Sequence, residues 1–235
     1  MGDFVKSASA ILSSSQQRAE QAAHNIANIT TPGFRSKHSF SEVLNIADDL
    51  NRPELVEVPV ISLTPGQLSP SGGEFDLAID GSGFFVLRGE EGLFYTRNGQ
   101  FTRDADGRLL GVGGRYLQAA EGGDMILPEG LAEIRSDGAL VDGDLVRARI
   151  AIVEFEDVRP RSGPDGLLEV DPASVIPMDN PTIRQGYLEN SNVALGEEMI
   201  ALMEAVRRAE TGQRLMNVYD DLMGRAITTF GQASG

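Results

Sequence analysis

The chain contains no cysteine, so disulfides and cysteine-ligated metals are excluded. That absence leaves the compartment open, because a protein without disulfides can work on either side of a membrane. No stretch approaches twenty apolar residues, and the N-terminus lacks the basic start, apolar run and small-residue cleavage site of a secretory signal. Any export is therefore expected to proceed without a cleaved signal peptide. Histidine is scarce: His24 and His38 are the only two, and they do not form the i, i+4 pair of a helical zinc site. No Gly-x-Ser-x-Gly elbow marks a nucleophilic serine. Basic residues are in deficit, 20 Lys and Arg against 35 Asp and Glu, for a formal net charge of -15. Such a surface repels nucleic acid and anionic membranes, which argues against both as partners.

What the 235 residues do contain is heptad pattern at both ends. From Leu195 the positions Leu195, Met199, Leu202, Val206, Ala209, Gln213, Met216, Asp220, Met223, Ile227 and Phe230 step by four and three. A helix of about 38 residues would be roughly 57 Å long, beyond the needs of a small domain's cap. Gly196, Gly212 and Gly224 lie inside it, each costing ~1 kcal/mol against alanine. Contacts from outside the helix must offset that cost. Near the start, Val5, Ala8, Leu12, Ser15, Ala19, Ala22, Ile26 and Ile29 form a second heptad, the natural partner of the first. Its alanines and serines allow close backbone approach but supply few large side chains. Ordering about 26 backbones outweighs that burial, so the N-terminal helix is expected to fray when alone.

Between the helices the period changes. Thr30-Thr31-Pro32-Gly33 stops the first helix, and residues 35–73, with four of the prolines, read as extended linker carrying one short helix near Phe40 to Leu50. From Glu74 onward short apolar runs alternate with Asp80-Gly81, Asn98-Gly99, Asp106-Gly107, Asp137-Gly138 and Asp142-Gly143, the positive-φ pairs of tight hairpins. The expected fold class is α+β: long N- and C-terminal helices paired as a coiled coil, with an inserted all-β antiparallel domain. Asn190-Ser191-Asn192 offers side-chain oxygens to cap the last helix, and Glu197 and Glu198 suit its first turn. The acidic clusters read as turns. In the stretch beginning at Thr102 the twelfth position of a calcium loop would fall on Gly113, where a bidentate glutamate is needed. Gly81-Ser82-Gly83 lacks the lysine and following helix of a phosphate loop. Arg207 and Arg208 read as a solvated helix face, and Ser15 as a small packing residue.

Four stretches resemble one family, in order. Asn25-Ile26-Ala27-Asn28-Ile29-Thr30-Thr31-Pro32-Gly33-Phe34 is similar to the N-terminal signature of the bacterial flagellar rod and hook proteins. The run from Phe75 to Val86 resembles their first β motif, and Tyr95-Thr96-Arg97-Asn98-Gly99-Gln100-Phe101 the hairpin after it. Gln185 to Val193, leading into Glu198-Met199-Ile200 and Arg207, resembles the C-terminal signature helix. The compact central segment is most similar to the proximal rod branch, with the distal rod branch next.

The resemblance implies a structural, non-enzymatic subunit of the flagellar basal-body rod, a self-assembling tube in the periplasm that transmits torque. Its partners would be copies of itself, neighbouring proximal and distal rod subunits, and the flagellar type III export apparatus. No cofactor, metal, nucleic acid or direct membrane insertion is implied. The implied domains are 1–34, helix and turn of the inner tube; 35–73, linker; 74–186, β domain; and 187–235, C-terminal helix of the inner tube. Expected packing residues are Val5, Leu12, Ala19, Ile26, Met199, Leu202, Val206, Met216, Met223 and Ile227, with Gln213 and Asp220 setting register or facing the channel. Asn28, Pro32, Gly33 and Phe34 are expected to set the angle between helix and linker. The competing expectation is a ligand-binding or hydrolytic β domain that the helices merely oligomerise.

Overall fold

The structure, a computed structural model, describes residues 2–44, 54–128, 133–143, 145–156 and 158–233, without the side chains of 2–4, 6, 40–44, 54–58 and 226–233. It divides into two compact units, residues 1–27, 39–59 and 194–235 in one and 28–38 and 60–193 in the other.

The first unit is built on two long helices, α1 (Gly2–Ala27) and α2 (Leu195–Ala233), packed against each other. Asn25 meets Glu198, while Gly212 lies against Ala8 and Leu12, so the pair is antiparallel. α1 buries Ala8, Ser15 and Ala22 at heptad spacing, and Asn25 near its end, and half-buries Val5, Leu12, Ala19 and Ile26. At 39 residues against 26, α2 is longer by 13, about 20 Å of helix. Lys37–Leu44 and Glu54–Ile61 form a two-stranded ribbon. Phe40 to Leu44 are therefore strand, not the expected short helix; the rest of that expectation, 45–50, lies outside the described residues. Serines at 39 and 41 compete for backbone hydrogen bonds and suit a helix interior poorly.

The second unit is antiparallel β throughout the pairings described. Phe84–Gly89 is central, pairing with Gly92–Thr96, Tyr116–Leu117 and Ile152–Phe155. Its run of four apolar residues is buried on both faces: Phe85 and Leu87 enter one core with Leu77, Leu109, Leu117 and Met125, and Phe84 and Val86 a second with Tyr95, Val153 and Leu168. Two short ladders close this unit around its chain ends. Leu77–Ile79 pairs with Ile183–Gln185, and Leu68–Pro70 with Tyr187–Glu189. The segment that leads into α2 is thus a strand of the β unit up to Glu189.

Candidate assembly site

In the helical unit the seam that faces α1 runs Glu198, Leu202, Ala205, Ala209, Gly212, Met216, Tyr219 and Met223. Leu202, Met216 and Met223 are half-buried on it. The alternate positions fall one residue earlier than the apolar pattern indicates: Ala205 and Gly212 are buried where Val206 and Gln213 were expected. Met199 and Val206 are 51% and 46% exposed, and Leu195, Ile200 and Met203 are exposed beside them. Farther along, Leu215, Val218 and Leu222 are exposed as well. Gln213 and Asp220 are exposed. Helix packing at Ala8, Ala205 and Gly212 is close because little side chain intervenes: a Cβ built on Gly212 would sit 3.5 Å from Ile11 Cγ2 and 3.6 Å from the Ala8 carbonyl. The side chains of Ile227 and Phe230 lie outside those described.

A buried polar contact crosses the seam. Asn25 Nδ2 donates to Glu198 Oε1 at 2.9 Å, both residues being buried. Arg207 and Arg208 are exposed on α2, and His24 and His38 are exposed.

In the β unit the junction residues 28–36 are docked. Asn28 accepts the Thr31 N–H at its carbonyl and the Thr31 hydroxyl at its Oδ1, which closes the turn after α1. Gly33 has φ +67° and donates its N–H to the Glu189 carbonyl at 2.7 Å. A Cβ there would lie 2.2 Å from Arg97 C and Asn98 N, so only glycine fits. Phe34 is buried. Asn192 does not cap α2 as the sequence suggests. Its Oδ1 accepts the Ser36 N–H at 2.7 Å and its Nδ2 donates to the Thr64 carbonyl at 2.9 Å, tying the junction to residues 62–64.

Beneath Gly33 lies a buried ionic group that sequence spacing does not reveal. Glu189, 1% exposed, meets Arg35 Nη1 at 2.6 Å and Arg97 Nη1 at 3.0 Å. Its Oε1 also accepts the Gly66 N–H at 2.7 Å. Arg97 donates further to the carbonyls of Ile79 and Gly81 and stacks over Phe84. Burial pushes the Arg97 guanidinium below its ordinary value, Glu189 opposing and Arg35 reinforcing that shift. Arg35 is bound by charge alone: its guanidinium nitrogens make no hydrogen bond among the described residues.

The acidic clusters are turns. Asp104 Oδ1 accepts the N–H groups of Asp106 and Arg108, shaping the hairpin between Thr102–Arg103 and Leu109–Leu110. Among the described residues, no group of three or more His, Cys, Asp and Glu could hold a metal, and no helix is long and apolar enough to cross a membrane. A cleft of about 460 Å³ in the β unit is lined mainly by apolar groups, among them Val86, Leu93, Ile152 and Met178.

Two family models match the chain. The flagellar hook protein FlgE/F/G D1 domain matches residues 78–152, and the flagellar basal body rod FlgEFG protein C-terminal matches 184–229. The flagellar basal-body rod protein FlgF of Salmonella typhimurium is 31% identical over 236 residues, covering 90% of this chain and 92% of that protein. The chain belongs to the flagellar rod and hook protein family. FlgF of Escherichia coli is 30% identical with the same two coverages, and the rod protein FlgG of Agrobacterium fabrum is 29% identical over 88% of this chain and 91% of that protein. Rod and hook proteins are structural components rather than enzymes. The D1 match contains Arg97, and the C-terminal match contains Glu189, Asn192 and the α2 seam as far as Met223. The two matched regions thus include Arg97 and Glu189 of the ionic group and the α2 side of the seam, while Arg35 and α1 lie outside them.

Proposed function

We propose that this chain is a structural subunit of the bacterial flagellar basal-body rod, assembling with copies of itself and with neighbouring rod subunits through its terminal helices. The observation that carries this reading is the division of α2 into two faces. One packs Ala205, Gly212 and their neighbours onto α1; the other presents Leu195, Met199, Met203 and Val206 to solvent, a stripe that an assembled tube would cover. Full-length similarity to two proteins named FlgF favours the proximal part of the rod. A periplasmic site and delivery by the flagellar type III apparatus without signal cleavage follow from that placement. The inner-tube boundaries at residues 34 and 187 belong to the same proposal.

Met199→Asp and Val206→Asp test it. Both residues are exposed, so the purified variants should keep wild-type helicity and melting while losing incorporation into basal bodies and motility. Normal motility in both would overturn the reading. So would saturable ligand or calcium binding by the purified chain together with normal function after deletion of residues 1–30.

A further inference from the structure

Three of the motifs on which the family resemblance rests meet at a single side chain. Arg35 directly follows the Pro32-Gly33-Phe34 turn, Arg97 lies in the Tyr95–Phe101 hairpin, and Glu189 stands in the Gln185–Val193 stretch. Glu189 uses every oxygen it has: the carbonyl takes the Gly33 N–H, Oε1 takes the Gly66 N–H and faces Arg35, and Oε2 takes Arg97. Three chain segments, at residues 33–35, 66 and 97, are thereby fixed to the strand that runs into α2.

Stability does not account for this arrangement. Two guanidinium groups and one carboxylate are buried together, 3%, 4% and 1% exposed, leaving an excess positive charge. Arg35 brings three nitrogens out of water without a hydrogen bond, so its desolvation is poorly offset. Buried ion groups of this kind are often neutral or unfavourable against apolar replacements, and their best-attested use is to impose one geometry. Arg97 already satisfies Glu189 Oε2 and the carbonyls of Ile79 and Gly81. What Arg35 adds is a tether on residues 33–36, the piece of chain just beyond α1.

We infer that Arg35 and Glu189 are positioning residues for assembly: their ion pair fixes the exit of the chain from α1 beside the strand that enters α2. The pair holds both chain exits of the β unit, residues 33–36 and Glu189, in a single geometry. The inference rests on the proposed rod function only for its consequence in motility.

Arg35→Met is the test, made in the full chain, with Arg35→Lys as the conservative control. Hydrogen exchange is read at the amides of Gly33 and Ser36, whose partners, the Glu189 carbonyl and Asn192 Oδ1, are both left intact. Arg35→Met should speed exchange at both by about 10- to 100-fold. The Met125 amide, bonded to the Leu117 carbonyl in the core, should not change, and the melting temperature should hold or rise. Arg35→Lys should restore protection. Unchanged exchange at Gly33 and Ser36 in Arg35→Met would overturn the inference. Where Arg35→Met instead loses stability cooperatively and exposes Met125, Arg35→Gln, which leaves the Gly33, Gly66 and Arg97 bonds to Glu189 untouched, must free Gly33 and Ser36 selectively or the inference fails. Motility supplies a separate arm: faster exchange with normal swimming would refute the assembly role while leaving the tether in place. Swimming unaffected even by Met199→Asp would count against the rod function itself.

Discussion

Gly33 shows how much one residue can carry. Its φ of +67° costs an L-residue about 1 kcal/mol, and a Cβ would press into the backbone of Arg97 and Asn98 at 2.2 Å, where nothing flexible can yield. Gly33→Ala is expected to destabilise the β unit by at least ~2 kcal/mol and to undock residues 28–36, seen as a lower urea midpoint and loss of Ser36 amide protection. A proline-glycine turn was legible from the sequence; the clash was not, because it involves a hairpin some sixty residues away. The same separation hid the Glu189 group. Arg35, Arg97 and Glu189 are ordinary charged residues until the fold brings them together, and no local period marks them. Asp124 gives a pH handle. Hydrogen bonds from the Arg88 guanidinium, opposed by burial and aided by the Gln118 amide, hold its carboxyl below the usual range. A group depressed in the folded state contributes stability that is complete above its unfolded value, near 3.9, and lost as pH falls through the folded one. Melting temperature should therefore drop as pH falls below about 4, and Asp124→Asn should flatten part of that fall.

Among the elements, α1 was legible and α2 only partly so, and the reason lies in side-chain size. In α1 the small residues Ala8, Ser15 and Ala22 share one stripe with Leu12, Ala19 and Ile26, so the apolar period and the buried face coincide. In α2 the buried alternate positions are Glu198, Ala205, Gly212 and Tyr219, whereas the larger apolar Met199 and Val206 stand one residue later and face outward. A period search weighted by hydrophobicity follows the larger residues, and so it reads the outward stripe as the seam. Leu202, Ala209, Met216 and Met223 belong to either frame. Gly212 then gains a meaning that its helix propensity alone does not supply. A methyl group there would make ordinary contacts at 3.5–3.7 Å, so Gly212→Ala should stabilise the helix pair by ~0.5–1 kcal/mol, measured by thermal unfolding followed at a helical signal. Ala205→Leu, which forces a large side chain into the close approach, should destabilise it by ~1–3 kcal/mol. Asn192 shows the other way local rules mislead. Its position before a helix reads as a cap, but α2 begins three residues later, at Leu195, and the Asn192 side chain bonds Ser36 and Thr64 instead.

For the whole molecule, the same helix must serve two kinds of contact, and the two can be separated by experiment. Leu202 faces α1 within the chain, while Met199 faces outward. An aspartate at 202 places a charge in the seam and should cost the isolated chain several kcal/mol of helix pairing, visible as lost helicity with the β unit still folded. An aspartate at 199 meets only water in the free chain and should leave helicity unchanged. If the outward stripe is where neighbouring subunits pack, both variants should nonetheless fail to enter basal bodies and both should abolish motility. Loss of assembly in Leu202→Asp alone would mean that only the intramolecular pair matters. Loss in both, with helicity lost in one, requires α2 to be finished by contacts that a lone chain does not contain. An α2 about 20 Å longer than its partner, with exposed apolar residues continuing to Leu222, is built for that second outcome.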